Sequence, residues 1–238
     1  MRVAVCFAAR PDGAGLPAGF TREPQRWAAV IVDVLRATTT LTVAFANGAH
    51  SVEAFADPAL AIASRDADSR VLACGERDGR IVAGFDLGNS PFEFTHERVE
   101  GRRLAFASTN GSIALLATFR CTRRTLGAFI NATAVLDRVR TARPANLLIA
   151  CAGKLGRFAL EDAAFAGWLC SGLAREGATI EGGAARLALS IAPRDVHEVR
   201  AAVEGSSHGR TLRRLGEGFA RDVDYCAGLD RIAEAFDV

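Results

Sequence analysis

Residues 28–48 read AAVIVDVLRATTTLTVAFANG, and the segment changes character in its middle. Residues 28–32 are a continuous apolar run rich in β-branched side chains, the pattern of a strand covered on both faces of a parallel sheet. Asp33 ends that run. From Thr40 onward, Leu41, Val43, Ala44 and Phe45 fit a short helix, which Asn47-Gly48 closes through a left-handed residue. Between strand and helix lie Asp33, Arg36 and the threonines Thr38, Thr39 and Thr40. In open α/β sheets ligands sit beyond the carboxyl ends of the strands, where a helix N-terminus offers unpaired N–H groups to an anion. The junction therefore combines a carboxylate, a guanidinium, hydroxyls and a helix start. Capping of the helix by Asp33 and a threonine would account for the junction in isolation; its neighbours along the chain decide whether it does more.

Outward from this stretch the same kind of junction recurs. Residues 2–7 read as a short strand, and 11–24 as a glycine- and proline-punctuated loop. Residues 51–55 and 70–74 are further strands, separated by a helix that starts at Asp57-Pro58. This β-α-β-α-β alternation predicts right-handed crossovers and a parallel sheet. The third strand empties into Gly75-Glu76-Arg77-Asp78-Gly79. After a short hairpin strand at 80–83 comes Gly84-Phe85-Asp86-Leu87-Gly88-Asn89-Ser90-Pro91, a run built for tight turns and close backbone approach. Residues 103–107 form a strand that ends in Ser108-Thr109-Asn110-Gly111-Ser112 before a helical run at 113–119, again suited to an anion. Strands at 125–129 and 146–150 flank a helix at 132–139. Residues 151–158 then lead into a long helix at 160–173, whose first turn holds Glu161 and Asp162, a placement that the helix dipole favours by itself. Residues 183–238 read as mostly helical, with a polar turn at 206–210 positioned to fold over the open edge of the sheet. The fold class is α/β: three layers, α/β/α, around a mainly parallel central sheet with room for a mixed edge, and a helical C-terminal part. One domain spanning 1–238 is expected, with any division into two lobes falling near 140.

Composition narrows the function classes. The 238 residues are half hydrophobic, ample for a buried core, and the formal net charge of +2 is close to balance. Charges are spread rather than blocked, so no nucleic acid partner is expected. Nearly all the basic charge is arginine; Lys154 is the single lysine. No apolar run approaches the length of a membrane helix, and residues 1–10 lack a signal-peptide pattern, so no membrane partner and a cytoplasmic setting are expected. The six cysteines and four histidines are scattered, without paired metal-ligand spacing. A homodimer is the general expectation for a soluble enzyme.

Four loops, each leaving a strand, supply Asp33, Glu76, Asp86 and Asp162, with Arg36, Arg77, Asn89 and Asn110 beside them. On one edge of a parallel sheet, carboxylates with amide oxygens are a ligand set for a hard cation such as Mg²⁺, which keeps water and binds substrate phosphate. Arginines match phosphate bidentately. The ensemble points to a small anionic phosphorylated substrate. Among phosphatase patterns, an aspartyl nucleophile motif lacks its second aspartate, and a P-loop is absent. Cys151 and Arg157 have the C-x5-R spacing of a cysteine phosphatase, in which the arginine and a helix N-terminus would stabilise a thiolate. That alternative leaves the acidic loops unused.

The set Asp33-Val34-Leu35-Arg36-Ala37-Thr38-Thr39, Gly75-Glu76-Arg77, Gly84 to Pro91, Thr109-Asn110-Gly111, Cys151-Ala152-Gly153 with Glu161-Asp162, and Ser207-His208-Gly209 resembles the 2-phosphosulfolactate phosphatase family. The motifs stand in the family's order, with Ser112 where the family has threonine. The resemblance implies a Mg²⁺-dependent acid phosphatase that converts 2-phosphosulfolactate to 3-sulfolactate and phosphate, a step of coenzyme M biosynthesis. On that footing Asp33, Glu76 and Asp86 are candidates for Mg²⁺ ligand or base, with Asp162 a further ligand. Arg36, Thr38, Thr39, Arg77, Asn89, Ser90, Thr109, Asn110, Gly111 and Gly153 are the substrate-binding candidates. His208 would protonate the leaving alkoxide. Attack by water and a covalent aspartyl-phosphate on Asp33 are both open at this level, as is a non-catalytic phosphometabolite-binding protein.

Overall fold

The five residues of β2 (Ala28–Val32) are all buried, as their uninterrupted apolar run requires of a strand covered on both sides. The computed structural model describes all residues, 1–238. Around β2 the chain places β1 (Arg2–Cys6) and α1 (Ala18–Arg22) before it, and α2 (Ala37–Ala46), β3 (Ser51–Ala54), α3 (Pro58–Ala67) and β4 (Val71–Arg77) after it. Next come β5 (Arg80–Ile81), α4 (His96–Val99), β6 (Arg103–Ala107), α5 (Gly111–Ala117), β7 (Arg123–Gly127), α6 (Ala132–Ala142) and β8 (Asn146–Cys151). The remainder is α7 (Leu160–Ala174), β9 (Thr179–Glu181), α8 (Gly182–Ser190), α9 (Val196–Glu204), α10 (Ser207–Leu215) and α11 (Glu217–Cys226).

The strands divide between two sheets. The first has the order β7-β2-β8-β1-β9 and is parallel throughout. The second has the order β3-β6-β4-β5 and is parallel except for the β4–β5 hairpin. The α/β class and the mainly parallel pairing hold, and the single central sheet becomes two. Residue 140 lies within α6, and the strands on either side of it, β7 and β8, flank β2 in one sheet.

Strict alternation of side chains along each strand builds the layers. Val30, Val32, Leu147 and Ile149 face one core with α6, α7 and the C-terminal helices, while Ile31, Leu148 and Ala150 face a second core. That second core also takes Leu41 of α2, Leu115 of α5, and Leu104 and Phe106 of β6. Helices α2 and α5 therefore lie between the two sheets. Ala105 and Ala107, the alternate residues of β6, face a small third core with Ala61 of α3.

Register then fixes where the loops emerge. Val32 pairs with both Gly127 and Cys151, so the residues after β2, β7 and β8 leave at one edge. Gly75 pairs with Ala107 as the last rung between β4 and β6, so Glu76 and Ser108 follow side by side. The turn expected at 206–210 is the start of α10: Ser206 caps it, its hydroxyl accepting the Gly209 N–H at 2.8 Å. No helix is long and apolar enough to cross a membrane.

Candidate active site

The carboxyl ends of the two sheets open onto a common cleft of about 170 Å³. Asp33 enters it from the end of β2, Glu76 from the end of β4, Thr109 and Asn110 from the end of β6, and Lys154 from the loop after β8. Helix α10 closes it with His208, Thr211, Leu212 and Leu215. Residues from both sheets meet closely at Gly111, where a Cβ would lie 2.3 Å from the Cβ of Ala37 and 2.8 Å from Oδ2 of Asp33. Only glycine fits there, and its absent side chain leaves Asp33 uncovered at that point.

Asp33 is 5% exposed, and its nearest hydrogen-bond donor, the Ala37 N–H, is 3.4 Å from Oδ1. Burial pushes its carboxyl up to about 7; the nearby His208 opposes the rise and Glu76 adds to it. Glu76 is held differently. Its Oε1 accepts the Thr109 N–H at 2.7 Å, and its Oε2 accepts the Gly79 N–H at 2.6 Å and the Thr109 hydroxyl at 3.3 Å.

His208 is oriented by Glu161, whose Oε1 lies 3.2 Å from Nδ1. A carboxylate accepts, so Nδ1 carries the hydrogen in this contact and Nε2 is the nitrogen left for a ligand. Glu161 is 1% exposed, and its Oε2 is buried without a partner. A buried polar atom with no partner is uncommon in a folded protein. Sequence reasoning explained Glu161 by the helix dipole alone; the only available signal was its place one residue before Asp162, within the motif.

Several expected site residues serve the frame instead of the cleft. Asp162 joins two strand ends: Oδ1 accepts the Val34 N–H at 2.9 Å and Oδ2 accepts the Gly153 N–H at 3.0 Å. Burial, with Glu161 and Asp33 nearby, holds its carboxyl well above the usual range. It is a strut that does not line the cleft, a placement that lends no support to the metal role expected of it. Asp86 stays outside the cleft, where Oδ2 accepts the Ala73 N–H at 2.8 Å and Oδ1 lies 3.6 Å from Arg65. That position lends no support to the catalytic and metal-binding roles expected of Asp86. Arg77 turns away, its two Nη groups donating to the carbonyls of Glu76 and Ala56.

Arg36 lines the cleft but is committed. Its Nη1 is 2.5 Å from Oδ2 of Asp222, its Nη2 donates to the Gly79 carbonyl at 2.7 Å, and its guanidinium lies over the Phe219 ring. Ser90 donates to the other oxygen of the same aspartate at 2.6 Å, so it too belongs to this buried cluster. The Thr38 hydroxyl accepts the Asp33 N–H and donates to the Gly127 carbonyl at 2.7 Å, and Thr39 donates to the Val34 carbonyl, which fixes the loop rather than a ligand. Asn110 Oδ1 accepts the Leu155 N–H at 2.8 Å across the cleft mouth. Asn89 lines the cleft with a buried Oδ1 that has no partner.

Cys151 is fully buried in β8, and burial pushes its thiol well above its ordinary value. A thiolate is disfavoured there, so the cysteine phosphatase alternative fails. Arg157 is exposed, with its backbone paired to Lys154.

Residues 17–234 match the family model described as 2-phosphosulpholactate phosphatase. The chain belongs to this family. Similar members include a protein of Synechococcus sp. (strain WH7803), 39% identical over 208 residues that cover 87% of this chain and 84% of the relative. Others come from Synechococcus sp. (strain JA-3-3Ab), 40% identical with 86% of each chain covered, and Synechococcus sp. (strain CC9605), 38% identical with 91% of each covered. All three are named probable 2-phosphosulfolactate phosphatase. As a family member the chain is a phosphoric monoester hydrolase by class. Its cleft is the concave site in which Asp33, Glu76 and the Glu161–His208 pair converge.

The residues present suit a hard divalent cation. Asp33 and Glu76 place two buried carboxylates in one cleft. The buried, unpartnered Oδ1 of Asn89 is a further hard oxygen. A small set of this kind is enough for Mg²⁺, which retains water and takes oxygen from a bound phosphate.

Proposed function

We propose that this protein is a Mg²⁺-dependent phosphatase that hydrolyses 2-phosphosulfolactate to 3-sulfolactate and phosphate. The observation that carries the reading is the convergence of the sparsely bonded Asp33 carboxylate and the Glu161–His208 pair on one cleft, in a chain of this family. Asp33 and Glu76, with Asn89, would hold the cation, which supplies charge neutralisation for the phosphate as the ester bond breaks. Phosphomonoester hydrolysis passes through a loose transition state, so the protein's task is chiefly to position and to balance charge. Glu76 serves as the fixed wall, its oxygens anchored to backbone N–H groups of two loops. Water forms the new bond to phosphorus as the ester P–O bond breaks, His208 delivers a proton from Nε2 to the leaving alkoxide oxygen, and Glu161 stabilises the protonated ring through Nδ1. Leu35, Leu212 and Leu215 reduce water access at the cleft wall. Six free cysteines support a cytoplasmic setting.

The test is inorganic phosphate release from 2-phosphosulfolactate, measured with Mg²⁺ and again with EDTA. Release that stops in EDTA and returns on adding Mg²⁺ is expected. Release that persists in EDTA would remove the cation from the reading. No release, with binding of the substrate intact, would return the protein to the non-catalytic binding alternative.

A further inference from the structure

Three side chains that can carry positive charge line the cleft: Arg36, Lys154 and His208. Arg36 is bound to Asp222 and the Gly79 carbonyl, and His208 to Glu161. Lys154 forms no ion pair; its Nζ has one side-chain partner, the Thr211 hydroxyl at 3.3 Å. An ammonium group has three donors, so two remain for a ligand. Meanwhile Asp33, Glu76 and Asp78 bring three carboxylates to the same cleft. A substrate with three anionic groups needs an uncommitted cation there, and the chain's single lysine is the one it has.

Resting on the phosphatase reading above, we propose that Lys154 selects the sulfonated substrate, its ammonium group holding the sulfonate while the phosphate lies on the Asp33–Glu76 side. The placement supports this division. Asp33 and Glu76 leave the ends of β2 and β4, whereas Lys154 sits in the loop after β8 against α10. Thr211 stands three residues beyond His208, so both project from one face of that helix. The lysine backbone is itself fixed: Lys154 and Arg157 exchange backbone hydrogen bonds of 2.9 and 3.1 Å, and Asn110 holds the next residue, Leu155. The chemistry supports it as well. A planar carboxylate is matched best by the guanidinium fork, while the three oxygens of a sulfonate suit a compact ammonium with three donors.

The experiment compares the unsubstituted protein with Lys154→Met and Lys154→Arg. Phosphate release is measured from 2-phosphosulfolactate and from 2-phospholactate, which lacks the sulfonate, and binding of 3-sulfolactate is measured by calorimetry. Lys154→Met should lower the kcat/KM ratio of sulfonated to non-sulfonated substrate about tenfold or more, mainly through KM, as expected for loss of a charge-assisted contact. Lys154→Arg should recover part of the ratio, and 3-sulfolactate binding should weaken about tenfold or more in the Met variant. Equal loss on both substrates, or unchanged 3-sulfolactate binding with an unchanged melting curve, overturns the proposal, as does absence of 3-sulfolactate binding by the unsubstituted protein. Absence of phosphate release by the unsubstituted protein is a failure of the phosphatase reading instead, and the calorimetry still decides the role of Lys154.

Discussion

The ends of β2 and β4 each bring one buried carboxylate to the same cleft, and the chain supports the two in opposite ways. Glu76 accepts two N–H groups and a hydroxyl from neighbouring loops, all within 3.3 Å. Asp33 has one distant N–H at 3.4 Å and a burial that resists its charge. A carboxylate supplied with donors is part of the frame that keeps two loops together. One deprived of them carries a charge that is relieved only by something from outside. The contrast locates reactivity by what the fold withholds.

Asp33→Asn breaks the comparison most severely. It should reduce kcat on the order of 10³-fold. The same change should raise the melting temperature of the metal-free protein at pH 8. The carboxyl titrates near 7 in the folded chain against an ordinary value of 3.8, so the folded state binds more protons between those values. Stability therefore declines as pH rises from about 4 to about 7 and stays lower above, by up to a few kcal/mol. The asparagine variant should show a smaller decline than the parent, since Asp162 still contributes one of the same sign, and thermal melts of both at pH 4 and pH 8 read the difference. A variant less stable than the parent at pH 8 would contradict the account of Asp33.

Glu76→Gln should have a stability effect of the opposite sign. An amide keeps one acceptor and turns an NH₂ toward a donor, leaving a buried N–H unsatisfied at a cost of about 1–3 kcal/mol. Its melting temperature should fall at both pH values, with turnover reduced tenfold or more. The smallest effect belongs to Asp86→Asn, whose remaining oxygen can still accept the Ala73 N–H. Turnover within about twofold of the parent and a change within roughly 0.5 kcal/mol are expected, as for an ordinary surface position. A large loss of turnover in that variant would bring Asp86 back into the site.

Much of this architecture is legible in local pattern. Apolar runs such as 28–32 and the turn chemistry after each strand are short-range signals, and they locate the junctions carrying Asp33, Glu76 and Asn110. Pairing between strands is a long-range property, so nothing local shows that β3, β6 and β4 associate apart from β2. The same distance hides the commitment of Arg36, whose partner Asp222 lies 186 residues further along. A carboxylate in the first turn of a helix looks alike whether it serves the dipole, a strut or a histidine. Glu161 and Asp162 are such a pair, and only the folded chain separates their tasks.

Helix α7 carries both of those acids in its first turn, and further along it rests on α8 at Gly167. A Cβ at Gly167 would lie 2.0 Å from the Ala188 carbonyl oxygen, so any larger residue forces the helices apart. Such a shift would carry the partner of His208 and the strut between Val34 and Gly153 along with it. A turnover screen of random variants would therefore score Gly167 as an active-site position, although it touches no substrate. The map of sensitive residues for this fold extends through the interior along one helix, and reading it as a map of contacts would misplace the chemistry.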